Sequence, residues 1–494
     1  MSDYIIKATN IKKYFGGVKA LDGVTIEIKK GEIHCLAGEN GCGKSTIINI
    51  LSGFYTPDSG TIEIDGMEYE KMNPKQAIGN GIQVIYQDLS LFPNLTVMEN
   101  LAINMEVAES RTFVNKARMR KIAEEAVAKI GFKIDLDEIV ENLTVGTRQM
   151  IAISRALLKD AKLIIMDEPT TAITKREVKV LFKIIKQLQA QGIGVLFVSH
   201  KLDEVFEIAE RFTIFRSGKN VAEGNTKDLD QNKFTYYMTG RELVSSRYEY
   251  TIENAPTVLE VKNISLKNGF KDVSFCLKQG EIIGITGLLG SGRTELAETL
   301  FGYHAVDSGE IFIEGKPVEL RSIKQGIENG IGYLPPDRVA EGLFLSQPIA
   351  DNISIEKWHE YANYLGKIDR TKVEEMTRYW AKELSIVLHN IDDPVGTLSG
   401  GNQQKCVLAK WLALDLKVLI LNGPTVGVDI GAKFDIYELI KRLAKQGLTV
   451  IIISDDLPEV LTNCNRVMVM QSGRVVGFLS TQDLEESRLA ELAN

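Results

Sequence analysis

The run Gly38-Glu39-Asn40-Gly41-Cys42-Gly43-Lys44-Ser45, followed by Thr46, fits the spacing G-x-x-x-x-G-K-[ST] at every fixed position. Glycines at these points let backbone N–H groups turn inward around phosphate oxygens, and a helix opening at Ser45 adds its positive end. Lys44 would reach the β- and γ-phosphates, and the Ser45 hydroxyl would ligate Mg²⁺. Further along, Asp167 and Glu168 close the apolar run Leu163–Met166. A carboxylate there can join a Mg²⁺ shell, and the next one can orient an attacking water. His200 follows the apolar run Val195–Val198, where it could sense a γ-phosphate, and Gln87 follows Val84–Tyr86, where it could touch Mg²⁺ or water. Alone, such a His or Gln is an ordinary loop residue, and an acidic pair before Pro169 is an ordinary helix start. It is their order behind a phosphate loop that points to nucleotide chemistry.

Short apolar runs before glycine-rich loops read as buried parallel strands, apolar on both faces. Ile33–Ala37, Leu163–Met166 and Val195–Val198 are of this kind, whereas Val24, Ile26 and Ile28 alternate with polar residues as a half-buried strand does. Between two of the runs, Val178, Leu181, Phe182, Ile185 and Leu188 recur at helical spacing behind a Thr174/Glu177 capping box, and Gly192 ends the pattern. Strand–helix–strand units with glycine loops mean an α/β fold around a largely parallel sheet.

The chain also repeats itself. GENGCGKST at Gly38–Thr46 answers to GLLGSGRT at Gly287–Thr294, LTVGTR at Leu143–Arg148 to LSGGNQ at Leu398–Gln403, and LIIMDEPT at Leu163–Thr170 to VLILNGPT at Val418–Thr425. VSHKL at Val198–Leu202 answers to ISDDL at Ile453–Leu457. Four blocks in one order, each displaced by about 250 residues, are the mark of a tandem duplication, not of a short-period solenoid. The expected domains are 1–248 and 258–494, with a polar linker at 249–257 that carries Pro256.

Composition bounds the rest. Of 494 residues, 44% are hydrophobic and 25% charged, the balance of a globular protein with more than one core. The net charge of −8 argues against a protein that tracks nucleic-acid phosphates along its length. Five cysteines without C-x-x-C spacing argue against a disulfide framework or a zinc site. Met1–Lys13 has no apolar stretch and no run is long enough to span a bilayer, so the expectation is a cytosolic chain unless a partner holds it at a membrane.

Taken together, the phosphate loop, Gln87, LSGGNQQ at Leu398–Gln404, the Asp-Glu strand and His200 resemble the ATP-binding-cassette ATPases over nearly the whole chain. That resemblance implies two tandem P-loop NTPase domains, each with a mostly parallel sheet core, an antiparallel β subdomain and a helical subdomain. It also implies ATP and Mg²⁺ as cofactors, and two cassettes packed head to tail as an internal pseudo-dimer. Ser399, Gly400 and Gly401 of the signature would then grip the γ-phosphate held by Lys44, the glycines because backbone must come close to an anion. Phe15 matches the aromatic that stacks on adenine, with Tyr14 a neighbouring alternative. More narrowly, Met238–Arg241, Tyr333–Arg338 and Gly427–Gly431 resemble markers of the fused double-cassette ATPase of bacterial monosaccharide importers, although Pro336 stands where that group usually has an acid. The implied partners are membrane permease subunits, forming a homodimer and docking near Asp88–Leu101, and an extracytoplasmic sugar-binding protein, with no nucleic acid. The implied location is the cytoplasmic face of the membrane.

The second half departs from this pattern in an ordered way. Its phosphate loop, with Gly287, Gly292 and Thr294, has Arg293 in place of Lys44, a larger planar cation that can still bind phosphate. Asn422 and Gly423 replace Asp167 and Glu168, and Asp455 replaces His200. In the first half the signature carries Val145 where its counterpart has Gly400. Under head-to-tail pairing all the defects fall in one composite site, so the expectation is one hydrolytic site and one that binds nucleotide weakly or idly. A ribosome-bound tandem-cassette translation factor is the rival reading, but it calls for a long basic linker and two competent sites. A DNA-repair cassette protein would need large insertions and zinc cysteines.

Overall fold

Two-sided apolar strands must be covered on both faces, and the chain does this twice. The computed structural model describes residues 3–108, 115–131, 133–158, 160–171, 173, 175–243, 246–250 and 254–493. It divides into two compact units, Met1–Leu243 and Val244–Asn494.

In the first unit the larger sheet has the order Lys219–Asn225, Arg211–Arg216, Ile33–Gly38, Gly194–Val198, Leu163–Asp167, Ile82–Ile85. Its neighbours are parallel except the first pair, an antiparallel edge hairpin. Ile33–Gly38 and Gly194–Val198 are buried at every residue, which explains why they read as unbroken apolar runs. The alternating strand belongs to a separate antiparallel sheet, ordered Val18–Lys29, Tyr4–Phe15, Ser59–Ile64, Met67–Tyr69, in which Val24, Ile26 and Ile28 point into the core. A third layer is helical. Val97–Ala108, Lys116–Ile130 and Val145–Leu157 meet around Val97, Leu101, Ala123, Val127 and Ile151.

The second unit repeats the plan. Its larger sheet runs Ile331–Leu334, Val418–Asn422, Thr449–Ile453, Ile282–Thr286, Arg466–Gln471, Arg474–Ser480, and only the last pair is antiparallel. Phe270–Lys278, Thr257–Leu266, Ser308–Ile313 and Lys316–Val318 make the antiparallel sheet. Ile349–Ser354, Arg370–Glu383 and Gly400–Leu412 belong to the helical layer.

The helix read from Val178 onward spans Lys175–Ala190, and Gly192 beyond its end takes a φ of 81°. Its expected cap, Thr174, lies outside the described residues. The counterpart Ile430–Lys445 is capped by Asp429, whose Oδ1 accepts from the Ala432 N–H at 2.8 Å. Tyr248, expected as the last residue of the first domain, packs within the second unit. Its ring is buried, its N–H donates to Thr462 O at 2.9 Å and its hydroxyl donates to Gly280 O at 3.0 Å.

Candidate active site

The phosphate loop of the first unit joins the strand Ile33–Gly38 to the helix Lys44–Leu51. At Gly43 the backbone has φ 106°, and a Cβ there would lie 2.6 Å from both Ala20 O and Leu21 Cδ2. Any side chain would push the loop off the hairpin behind it. That hairpin carries Phe15 near its tip, half exposed and edge-on to Tyr55 with ring centroids 5.3 Å apart. Tyr14 is tethered instead, its hydroxyl donating to Asp22 Oδ1 at 3.3 Å. Asn40, Gly41 and Ser45 are exposed, Glu39 and Thr46 partly so, and Cys42 is buried with its thiol pushed up by that burial. Lys44 is buried and bends back over its own loop, Nζ donating to Gly38 O at 2.6 Å and Glu39 O at 3.0 Å. The ammonium therefore rests on carbonyls that a phosphate oxygen would replace.

Asp167 is the last residue of its strand, and Glu168 begins the turn beyond it. Burial, and then the adjacent Glu168 charge, push the Asp167 carboxyl up to about 6 against the pull of Lys44. Glu168 moves the other way. The hydrogen bond from His200 holds it below the ordinary range against its burial, with help from Lys44 and Thr171. Its Oε1 lies 3.2 Å from His200 Nδ1, and its Oε2 accepts from Thr171 Oγ1 at 3.3 Å. An ionised carboxylate can only accept, so Nδ1 carries the hydrogen. Two adjacent carboxyls pushed apart in pKa is the arrangement that gives neighbouring acids different tasks. Glu168 also has φ 46°, a left-handed conformation that costs a non-glycine residue roughly 1–2 kcal/mol.

Gln87 is exposed and lines one cleft together with Asp167, Tyr86 and Asn49. The structure thus brings Lys44, Asp167, Glu168 and His200 together, and puts Gln87 at the mouth beside Asp167. Thr171 was missed in the sequence, although its place three residues after Glu168 is a short-range signal. Among the described residues no group of three His, Cys, Asp or Glu side chains could cage a metal. One partly buried carboxylate, a hydroxyl and an amide suit Mg²⁺, which keeps several waters and takes the rest of its oxygens from substrate phosphates.

In the second unit the backbone of this site survives while its side chains differ. Gly423 has φ 62°, and its N–H donates to Ile453 O at 2.9 Å, as the Glu168 N–H donates to Val198 O at 3.1 Å. Asn422 is buried and its amide donates to the Tyr333 hydroxyl at 3.2 Å. Gly287 and Gly292 shape the loop, Thr294 follows, and Arg293 is buried in an ion pair with Asp455. The two exchanged residues thus meet, the cation in the loop facing the acid that replaces His200.

The signature of the second unit opens the helix Gly400–Leu412, with Ser399 as its cap, its Oγ accepting from the Asn402 backbone N–H at 3.5 Å and from the Asn402 side-chain Nδ2 at 3.1 Å. A Cβ on Gly401 would lie 3.0 Å from Ala432 Cβ, and one on Gly400 would lie 2.7 Å from Arg338 Nη2. Packing inside their own unit therefore also favours small residues at both positions, beside the close approach of an anion expected from the sequence. Arg338 was singled out only as part of a marker block. It reaches the start of this helix and donates from Nη1 to Val426 O at 2.9 Å. In the first unit Val145 is 38% exposed at the corresponding helix start. There the Glu177 carboxylate crowds Gly146 and accepts from Thr144 Oγ1 at 3.3 Å, so an acid already stands where an anion would approach.

The sequence pattern of the family described as "ABC transporter" matches residues 21–171 and 270–426. The chain is similar over its whole length to curated proteins. Ribose import ATP-binding protein RbsA of Bacillus licheniformis is 42% identical over 488 residues, 99% of each chain. The protein of the same name from Bacillus subtilis is 39% identical, again over 99% of each. A putative ribose/galactose/methyl galactoside import ATP-binding protein of Rhizobium johnstonii is 40% identical over 492 residues, all of this chain and 96% of that one.

Proposed function

This chain belongs to the ABC transporter family, with two ATP-binding cassettes in one polypeptide, and on that premise we propose that it is the ATPase that drives import of a ribose-type monosaccharide. The observation that carries the chemistry is the Glu168–His200 pair at 3.2 Å beside Lys44, set against Gly423 and the Arg293–Asp455 pair in the second unit. Water attacks the γ-phosphorus and the bond to the departing ADP oxygen breaks. Lys44 and the loop N–H groups of Gly41, Gly43, Ser45 and Thr46 hold the phosphates, and Phe15 offers its exposed ring to the adenine. Glu168, ionised and aligned by His200, orients the water. Ser45, Gln87 and Asp167 would hold Mg²⁺, which supplies positive charge against the phosphates. We take the second loop to be idle, so that hydrolysis has one site, at Lys44, Glu168 and His200 of the first unit.

Among the described residues no helix is long and apolar enough to cross a membrane. We take the route for sugar to belong to partners, a membrane permease homodimer that holds this chain at the cytoplasmic face and an extracytoplasmic sugar-binding protein. The segment Asp88–Leu101, expected to dock the permease, contributes Ser90, Phe92 and Leu101 to a groove that Gln83, Asn104 and Arg155 also line, and Phe92 is 47% exposed. Whole-length similarity to import proteins favours this reading over a ribosomal factor. The test is uptake of labelled ribose, galactose and xylose by vesicles holding the chain with its permease and binding protein. ATP-dependent ribose uptake is expected, and ATP hydrolysis without uptake of any of the three would refute the import reading.

A further inference from the structure

Glu204 has no part in the family pattern read above, yet its carboxylate lies beneath both turns that carry the hydrolytic pair. One turn follows the strand Leu163–Asp167 and holds Glu168, and the other follows Gly194–Val198 and holds His200. Thr170 Oγ1 donates to Glu204 Oε2 at 2.8 Å, and Ser199 Oγ donates to the same oxygen at 2.7 Å. Lys201 Nζ lies 3.1 Å from the other oxygen. Thr170, Ser199 and Glu204 are 3%, 2% and 7% exposed, so these bonds are made in a dry place where breaking one leaves a polar group stranded. Thr170 is two residues from Glu168, and Ser199 adjoins His200. One oxygen therefore ties the two turns at a fixed separation, under a Glu168 whose left-handed backbone persists only if its surroundings hold it.

The second unit supplies the internal comparison. Glu459 bridges the matching pair with its two oxygens, Oε1 accepting from Thr425 Oγ1 at 2.5 Å and Oε2 from Ser454 Oγ, with Lys433 Nζ 3.3 Å from Oε1. Above that bridge stands Gly423, which carries no acid to aim and pays no penalty for its φ of 62°. The bridge is thus common to both units, and only in the first does a reacting group depend on it.

We propose that Glu204 is a positioning residue for ATP hydrolysis, fixing Glu168 against His200 by bridging Thr170 and Ser199. The proposal rests on the reading that the Lys44–His200 site hydrolyses ATP. Glu204 does not touch the phosphate loop, so its loss should lower kcat and leave nucleotide affinity alone. Misplacement by about 1 Å can cost on the order of 10²-fold in rate.

The experiment measures kcat, KM for ATP and Tm on the full-length chain for Glu204→Ala, Glu204→Gln and Glu459→Ala, with Glu168→Gln as reference. We expect Glu204→Ala to lower kcat by at least roughly tenfold with KM held within about twofold. Glu204→Gln should recover most of the loss, because an amide can still bridge two hydroxyls. Glu459→Ala should lower Tm about as far as Glu204→Ala does and keep the wild-type kcat. Should Glu204→Ala not fold, Glu204→Asp, too short to span both hydroxyls, takes its place with the same expectation. A kcat unchanged in the Glu204 variants, or one that falls as far in Glu459→Ala, would overturn the proposal. Wild-type turnover in Glu168→Gln would instead overturn the reading of the site itself.

Discussion

The double substitution Asn422→Asp, Gly423→Glu returns to the second unit the two carboxylates that distinguish the first, and it should still leave that unit without hydrolysis. Gly423 sits at φ 62°, where a side chain costs about 1–2 kcal/mol. Asn422 is buried against the Tyr333 hydroxyl, and the one nearby cation identified in the loop, Arg293, is already engaged by Asp455. A carboxylate introduced there either costs about 3–5 kcal/mol as an unpaired buried charge or stays protonated. In both cases it does not supply an ionised ligand for Mg²⁺. The new acid at 423 would meet Asp455 where Glu168 meets His200, so it lacks the donor that holds Glu168 ionised. Groups that act as a unit are non-additive, so partial repair gains little. The assay is steady-state ATP hydrolysis by the full-length chain in a Glu168→Gln background, with thermal unfolding in parallel. Turnover should stay on the order of 10²–10⁴-fold below wild type. The strain at position 423 alone should lower the melting temperature of the second unit by about 2–8 °C. Hydrolysis returning to near the wild-type rate would refute the argument, because it would mean that the missing carboxylates alone silence the site.

Lys44→Ala should lower turnover on the order of 10²–10³-fold, while Arg293→Ala, whose guanidinium is spent on Asp455, should cost far less; equal losses in one ATPase assay would sink the one-site reading. Glu168→Gln should bind ATP as wild type does yet turn over on the order of 10²–10⁴-fold more slowly, and a variant keeping half of the wild-type rate would remove Glu168 from its role. Burial holds the Asp167 carboxyl up to about 6 in the folded chain against 3.8 as its ordinary value. The folded state therefore keeps that proton longer than the unfolded one, and the contribution of Asp167 to stability falls as pH rises from 3.8 to about 6. Loading Mg²⁺ with a non-hydrolysable ATP analogue below that pH should release more protons in wild type than in Asp167→Asn. Calorimetric heats that do not change with the ionisation enthalpy of the buffer would contradict this.

The sequence by itself determined the elements and most of the chemistry. The run Gly38–Thr46 names its ligand because a phosphate loop works through backbone N–H groups, and only glycines in fixed places allow that backbone. Leu163–Asp167 and Gly194–Val198 were legible because burial on both faces forces unbroken apolar composition. The duplication and its ordered losses, Arg293 for Lys44 and Gly423 for Glu168, needed only alignment of the chain with itself. Tertiary structure decided what depends on residues distant in sequence meeting through space. The left-handed backbone of Glu168 is set by its place between two strand ends, and no residue-type signal announces it. The Arg293–Asp455 pair spans the strands of the second unit, so two departures far apart in the sequence meet in one ion pair. Gly400 and Gly401 face Arg338 and Ala432, contacts between helices that spacing along the chain does not encode. Glu204 reads in the sequence as one more acid on a short helix. It acquires a role only because Thr170 and Ser199, brought side by side by adjacent parallel strands, both bury their hydroxyls against it.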